Sequence, residues 1–294
     1  MKISLVIPNY NSGNTIERAI SSIVSQDYPD LELILVDGGS TDESIRICRE
    51  HAALFSVFVS EPDAGIADAL NKGFARASGE LFGWLAADDE LAPGALHYWN
   101  ELFQRHPDVD VITGGCLRVF EDGSTLITTP RADVMQRIVF NNGIEQPSTL
   151  WRAGLHGRIG ALDTSYKLAF DWDLWCRFKK AGARAMPIDR VMSHYHFSAT
   201  NLTSSSGEKL MREMFRVVRT HGPYFGLVAY AYLALFKYFD LHGCFDKPKK
   251  WSLRRAALNV FLGVLYVIFT PRIIKAYNWK FISRQMRGLV WFRR

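Results

Sequence analysis

Asp88 and Asp89 are adjacent carboxylates, with Glu90 beside them, and they end the apolar run 81–85. Pro93, Gly94 and a helical pattern follow. Strand, then acids, then helix puts both carboxylates at the carboxyl end of a strand, the edge where open α/β sheets bind ligands. Like charges this close repel unless a cation stands between them and a ligand. A hard divalent cation, held by one or two carboxylates and shared with a diphosphate, meets that need. A solvated acidic turn is the ordinary alternative for an isolated pair of aspartates.

Three other apolar runs end in the same kind of residue. The run 3–7 is closed by Pro8, with Asn9, Tyr10 and Asn11 beyond it. The run 31–36 gives way to Asp37, Gly38, Gly39 and Ser40, and the run 55–59 to Ser60, Glu61, Pro62 and Asp63. Turn chemistry and helix caps account for some of these residues, but less readily for Asp at three of four ends. Asp37, at a switch from strand to loop, calls for donors such as a nucleobase N–H, and Gly38 and Gly39 allow close backbone approach to a ligand. The G-x-G-x-x-G and P-loop patterns are absent, which argues against a dinucleotide oxidoreductase and a P-loop kinase.

The elements that hold these ends alternate. Asn14 with Glu17, and Ser40 with Glu43, have the spacing of capping boxes opening helices. A third helix is expected over 65–77. Four strands separated by helices predict a mostly parallel α/β sheet with helices on both faces. Further on, a helix is expected over 93–105. Strands follow over 109–114 and 117–127, with a turn at Asp122, Gly123 and Ser124. Asp171 or Asp173 begins a helix that closes at Gly182, one acid as its N-cap and the other free for chemistry. His194 and His196 follow a strand near 186–188.

The chain has 294 residues, 48% of them hydrophobic, enough for one large domain with an appendage. The four cysteines lie far apart without a C-x-x-C pair, which argues against zinc and disulfide scaffolds and suits a reducing compartment. The start of the chain resembles a buried strand rather than a secretory signal. The net charge of +5 is uneven: residues 247–294 hold 12 Lys and Arg and no acid, so the body is acidic and the tail basic.

Taken together, Pro8 to Asn11, Asp37 to Asp42, the run from Glu61 through Asp63, Gly65, Asp68 and Asn71 to Gly73, and Ala87 to Asp89 resemble family 2 glycosyltransferases with the GT-A fold. That fold has a Rossmann-like nucleotide-binding sheet. Among them the 61–73 run is similar to bacterial enzymes that build O-antigen and other surface polysaccharides. The resemblance covers about residues 1 to 200. It implies a metal-dependent, inverting transfer of sugar from a nucleotide-diphosphate sugar, UDP foremost, to a hydroxyl. Pro8, Tyr10, Asn11, Asp37 and Gly38 would hold the nucleotide, Asp68 and Lys72 would face the donor, and Asp88 would join them. Asp89 and His196 would bind Mn2+ or Mg2+, with Asp88 a further ligand. Asp171 would be the base, with Asp173 the alternative, and Trp172 and Gln146 would meet the acceptor. The family's usual first acid of the metal motif is Ala87 here, and Glu145 precedes Gln146 where relatives carry His. An i,i+4 surface ion pair is the plain alternative for Asp68 and Lys72.

Inverting transfer needs one base and a neutralised leaving group, with no second nucleophile. Other classes remain: a nucleotidyltransferase, although the first loop lacks Lys and Arg; a nucleic-acid binder using Trp251, Trp279 and Trp291; and a non-catalytic membrane scaffold. The expected division is a GT-A domain over 1–203 and a helical, basic, membrane-associating region over 204–294. There the apolar runs 224–236 and 256–270 are short for a bilayer. Ile274, Tyr277, Phe281, Ile282 and Leu289 lie opposite Arg272, Lys280, Arg284 and Arg287. That is the pattern of an interfacial helix on anionic lipid at the cytoplasmic face of the inner membrane. Packing on the domain, an oligomer contact and two spans are the alternatives. A polyprenyl-linked glycan is the expected acceptor and nucleic acid is not an expected partner.

Overall fold

The computed structural model describes residues 1–139, 141–198, 201 and 206–222. The chain divides into two compact units, Met1–Asn201 and Leu202–Arg294. The first alternates as expected: β1 (Ile3–Asn9), α1 (Ile16–Val24), β2 (Leu31–Asp37), α2 (Ser44–Glu50), β3 (Val57–Ser60), α3 (Ile66–Phe74) and β4 (Leu81–Trp84). Then come β5 (Glu90–Leu91), α4 (Ala95–Arg105), β6 (Val111–Phe120), β7 (Thr125–Thr128), α5 (Val134–Arg137), β8 (Thr149–Arg152), α6 (Ala153–Ile159), α7 (Phe170–Lys180) and β9 (Ala185–Phe197). In the second unit the described residues form α8 (Gly207–His221).

The strands among the described residues join one sheet in the order β3-β2-β1-β4-β8-β6-β9-β5, with β7 on β6. The first four are parallel, as the alternation requires. The second half is mixed: β8 runs antiparallel to β4 and β6, and β5 antiparallel to β9, while β6 and β9 are parallel.

Side chains of β1 and β2 alternate between two cores. Ile3, Leu5, Ile7, Leu33 and Leu35 pack with Ile16, Ile20 and Ile23 of α1 and Trp99 and Phe103 of α4. Val6 and Val36 face α3, so closely that a Cβ on Gly73 would lie 2.6 Å from Val6. On that same side an aromatic group forms between strands and α7. Trp84 and Trp175 stack at 5.8 Å and 6°, and Trp151 meets both edge-on.

Several boundaries differ from expectation. β1 runs through Pro8 to Asn9, because the ring nitrogen falls where no partner is needed. Val6 O accepts from Leu85 on the β4 side and Asn9 O from Gly38 on the β2 side. Alternation therefore turns Pro8 toward β4, whose pairing with β1 has ended at Trp84. Neither capping box forms. The cap residues are Thr15 and Glu43, without side-chain cap bonds. Asp42 instead accepts from Ser44 N and reaches across to Gly13 N. The expected strands 109–114 and 117–127 do not divide there: β6 is continuous, and its register against β9 shifts around Gly115. A Cβ on Gly114 would lie 2.3 Å from Met192, so only glycine admits this close bulge.

Glu32 ties the amino-terminal edge of the parallel sheet together. It accepts from Ser4 Oγ of β1 at 2.5 Å, from Ser78 N and Oγ ahead of β4 at 2.7 and 2.6 Å, and pairs with Lys2 at 2.7 Å. Burial pushes its carboxyl up, but the bonds from Lys2, Ser4 and Ser78 outweigh this and bring it down to about 2. A lowered folded-state pKa stabilises the fold above the ordinary value of 4.5 and loses that contribution as pH falls toward 2. Glu32→Gln should therefore cost about 1–3 kcal/mol at neutral pH. In thermal melts the gap to wild type should close between pH 4.5 and 2.

Candidate active site

The acidic run does not pass straight into a helix. It crosses from the end of β4 to β5, which α1 receives: Ser22 Oγ accepts from Leu91 N at 3.1 Å, and Gln26 Nε2 donates to Ala92 O at 3.1 Å. Arg18 of α1 donates to Asp88 O at 3.0 Å and pairs with Glu90 at 2.7 Å. His196 Nε2 lies 2.5 Å from the same Glu90 oxygen. Asn201 Nδ2 donates to Asp88 Oδ2 at 2.8 Å and to His196 O at 3.0 Å.

Asp89 is 2% exposed and its Oδ1 has no hydrogen-bond partner. Burial, then the charges of Asp88 and Glu145, push its carboxyl well above the ordinary range, against Arg18 and a bond from the His196 amide. Asp88 is also raised by burial, with Arg18, His196 and Asn201 pulling the other way. A buried carboxylate with an unpartnered oxygen next to a second carboxylate fits a divalent cation. Among the described residues no group of three or more His, Cys, Asp and Glu assembles to hold an ion alone. Mg2+-type sites meet this by taking phosphate oxygens as further ligands. His196, expected as a ligand, has its Nε2 occupied by Glu90.

Asp171 and Asp173 both sit in the first turn of α7, and neither is the cap, which is Ala169. Asp173 is 4% exposed and pairs with Arg177 at 2.8 Å, while Arg177 also donates to Ile159 O and Ala161 O. Asp171 accepts from Asn142 Nδ2 at 3.0 Å. Burial foremost, with Glu145 adding to it, pushes its carboxyl up to about 6, despite bonds from Trp172 N and Asn142. Glu145, held by Arg118 at 2.8 Å, thus acts on both Asp171 and Asp89. Gln146, expected at the acceptor, donates to Trp84 O at 2.7 Å. Trp172 corrects an expectation: it is 2% exposed, with its indole N–H on Ile138 O, so its ring packs the core and offers no face to a sugar.

At the other end of the edge, Asp37 is fully buried and accepts from Asn9 Nδ2, Ser40 Oγ, Ser60 Oγ and the amides of Gly39 and Ser40. Burial opposes ionisation, but these bonds prevail and hold it below the usual range. Its donors thus come from the chain itself. Pro8 is a buried strand residue. Tyr10 is 64% exposed beside Asn11, which takes a left-handed φ of 50° and bonds Ser40 and Thr41. Gly38 admits Asp63, whose Oδ2 lies 2.4 Å from where a Cβ would stand. Asp68 accepts from Ala64 N and lies 3.6 Å from Lys72, which pairs with Glu61 at 2.9 Å. The i,i+4 pair therefore forms, and both its members brace the loop that leads into α3.

A sequence model described as Glycosyl transferase family 2 matches residues 4–153. The chain belongs to that family. An uncharacterized glycosyltransferase of Rickettsia typhi is 27% identical over 190 residues, 62% of this chain and 59% of that protein. A PGL/p-HBAD biosynthesis glycosyltransferase of Mycobacterium tuberculosis is 31% identical over 174 residues, 58% and 66% respectively. The match thus spans about six-tenths of the length of these relatives. Two solved structures share the fold: S. aureus TarS 1-349 in complex with UDP-GlcNAc, and the mannosyltransferase PcManGT of Pyrobaculum calidifontis in complex with GDP-Man and Mn2+. Each has a TM-score of 0.60 and 18% identity. They cover 98% and 100% of this chain, which covers 82% and 88% of theirs. The architecture is the GT-A fold.

The sequence alone assigned no role to Arg18, Glu90, Asn142, Asn201 and Arg118. Glu90 adjoins the acidic pair and was within reach; the others carry no local signal. The two acids of α7 separate by test. Asp173→Asn should lower stability by about 1–3 kcal/mol, because Arg177 loses a buried partner. Thermal melts should show this loss, while activity per folded molecule stays within about twofold.

Proposed function

We propose that the protein is an inverting glycosyltransferase. It moves a sugar from a nucleotide-diphosphate sugar, UDP foremost, to a hydroxyl of a polyprenyl-linked glycan in surface-polysaccharide synthesis. One observation carries the reading. Asp171, a carboxylate pushed up to about 6, shares the neighbourhood of Glu145 with buried Asp89, whose Oδ1 lacks a partner. Family membership and relatives solved with UDP-GlcNAc and GDP-Man support the donor class.

Asp171 takes the proton of the acceptor hydroxyl as that oxygen attacks the anomeric carbon. A base whose pKa is near 6 is largely ionised at pH 7 yet still basic enough to accept. Exposed Tyr10 offers a ring to the nucleobase, and the Asp37 network holds the loop beneath it. Mn2+ or Mg2+ bound to Asp89, with Asp88, would neutralise charge on the departing diphosphate. Arg18 is the protein's own cation at that end.

Asp171→Asn keeps shape and hydrogen bonding but cannot take a proton. Its kcat should fall about 10²-fold or more with donor affinity unchanged. Wild-type turnover should decline as pH drops through about 6, where the base becomes protonated. Asp89→Ala should abolish Mn2+-dependent turnover and leave the fold intact. Undiminished turnover in either variant would overturn its assignment.

The second unit is read as a membrane-surface element at the cytoplasmic face of the inner membrane. The runs 224–236 and 256–270 and the basic segments around and after them lie outside the described residues. In α8 Lys209, Arg212, Arg216 and Arg219 are exposed at helical spacing, which supports an anionic partner. No helix among the described residues is long and apolar enough to cross a membrane. The full chain should co-sediment with anionic liposomes and be weakened, not released, by high salt. Indifference to liposomes would reassign this region to oligomer contacts.

A further inference from the structure

Asp171 is held from outside its own helix by the segment 142–146. Asn142 Nδ2 donates to Asp171 Oδ2 at 3.0 Å, and Asn142 Oδ1 accepts from Ile144 N at 3.4 Å. The second bond fixes the amide's orientation, so its nitrogen, not its oxygen, meets the carboxylate. Three residues on, Glu145 is 19% exposed and pinned by Arg118 Nη2. The segment is anchored on both sides. Gln146 bonds Trp84 O at 2.7 Å, and Glu145 O accepts from Thr149 Oγ1 at 2.8 Å and Ser148 N at 3.1 Å.

The other charges near Asp171 are turned elsewhere. On α7, Asp173 pairs with Arg177, and Cys176 is a buried thiol pushed far up by burial. On α5, Arg137 pairs with Asp133. On α6, His156 is a buried ring held down to about 4 by burial and then Arg177. Besides the amide of Trp172 on its own helix, Asp171 takes a side-chain bond from Asn142 and feels the like charge of Glu145, both from the 142–146 segment.

We propose that Asn142 and Glu145 act on Asp171 in opposite senses. Asn142 is a positioning residue that aims the carboxylate and stabilises its anion, and Glu145 is a charge that opposes ionisation. The segment, with Arg118 setting how strongly Glu145 is felt, fixes the pH at which the base becomes active. The inference rests on Asp171 being the base, but its physical core does not need catalysis to be observed.

Two measurements on the full chain separate the cases. The first is a carboxyl-carbon NMR titration with labelled aspartate, the Asp171 resonance being assigned by its loss in Asp171→Asn. The second is kcat/KM against pH with a UDP-sugar and Mn2+. Asn142→Ala should raise the Asp171 midpoint by about half a unit to one unit, and Glu145→Gln, nearly isosteric, should lower it by a similar amount. Asn142→Asp, which exchanges the donor for a like charge, should raise it further. In the pH profile the acid limb should move the same way, with donor KM within about twofold. Midpoints that stay fixed, or that move in one common direction, overturn the inference. Midpoints that move as stated while turnover ignores them overturn Asp171 as the base and leave the tuning intact.

Discussion

The stack of Trp84 on Trp175 is the contact on which the site depends. Trp84 is the last residue of β4, and Asp89 lies five residues beyond it. Trp175 lies one helical turn after Asp171. A single ring pair at 5.8 Å therefore sets the acidic end of a central strand against the first turn of α7. Gln146 is bonded to the carbonyl of the same Trp84, so the segment that touches Asp171 is registered to the same point. The indole N–H groups of Trp151 and Trp175 are buried without acceptors. The cluster thus holds by buried area and ring geometry, and each unpaired N–H costs about 1–3 kcal/mol.

Around that scaffold the chain concentrates acids that oppose one another. Asp88, Asp89, Glu90, Glu145 and Asp171 come from three separate stretches, and Arg18 and Arg118 offset only part of their repulsion. Burial raises Asp88, Asp89 and Asp171, so the fold holds these carboxyls at a cost. That is the expected state of a site whose electrostatic partner arrives with its ligand. Arg18 and His196 share Glu90, and Asn201 spans Asp88 and the His196 carbonyl, so these side chains are placed around the edge of the pair. The Asp89 Oδ1 is left without a donor.

What the sequence made legible followed from local periodicity. The first four strands, their parallel order and the polar residues at their ends were visible because buried strands are continuous apolar runs and their ends switch abruptly to Asp, Asn, Gly and Ser. The contacts that organise the site were not. Arg18 reaches Asp88 across 70 residues, and Asn201 reaches it across 113. No pattern along the chain records either. The second capping box failed because Ser40 turns its hydroxyl to Asp37, and Asp42, two residues before Ser44, accepts that residue's amide instead. Trp172 was expected at the acceptor from its place beside Asp171 in the motif, whereas Trp172, Leu174 and Trp175 are all buried.

Asp37 and Asp171 show how one fold gives two buried carboxylates different work. Asp37 receives side-chain donors from Asn9, Ser40 and Ser60 and amides from the turn that follows it. Those bonds overcome burial and hold it ionised. A carboxylate so surrounded has little capacity to take a proton near neutral pH, and it serves as a fixed acceptor that shapes the loops bearing Tyr10 and Asn11. Asp171 receives a single side-chain donor and faces Glu145, so burial prevails and the group titrates near pH 6. The larger burial penalty on Asp171 and the larger set of donors on Asp37 together separate the two. A group that must exchange a proton during turnover has to be left short of donors, and the strand end that must hold its shape has to be given more than one.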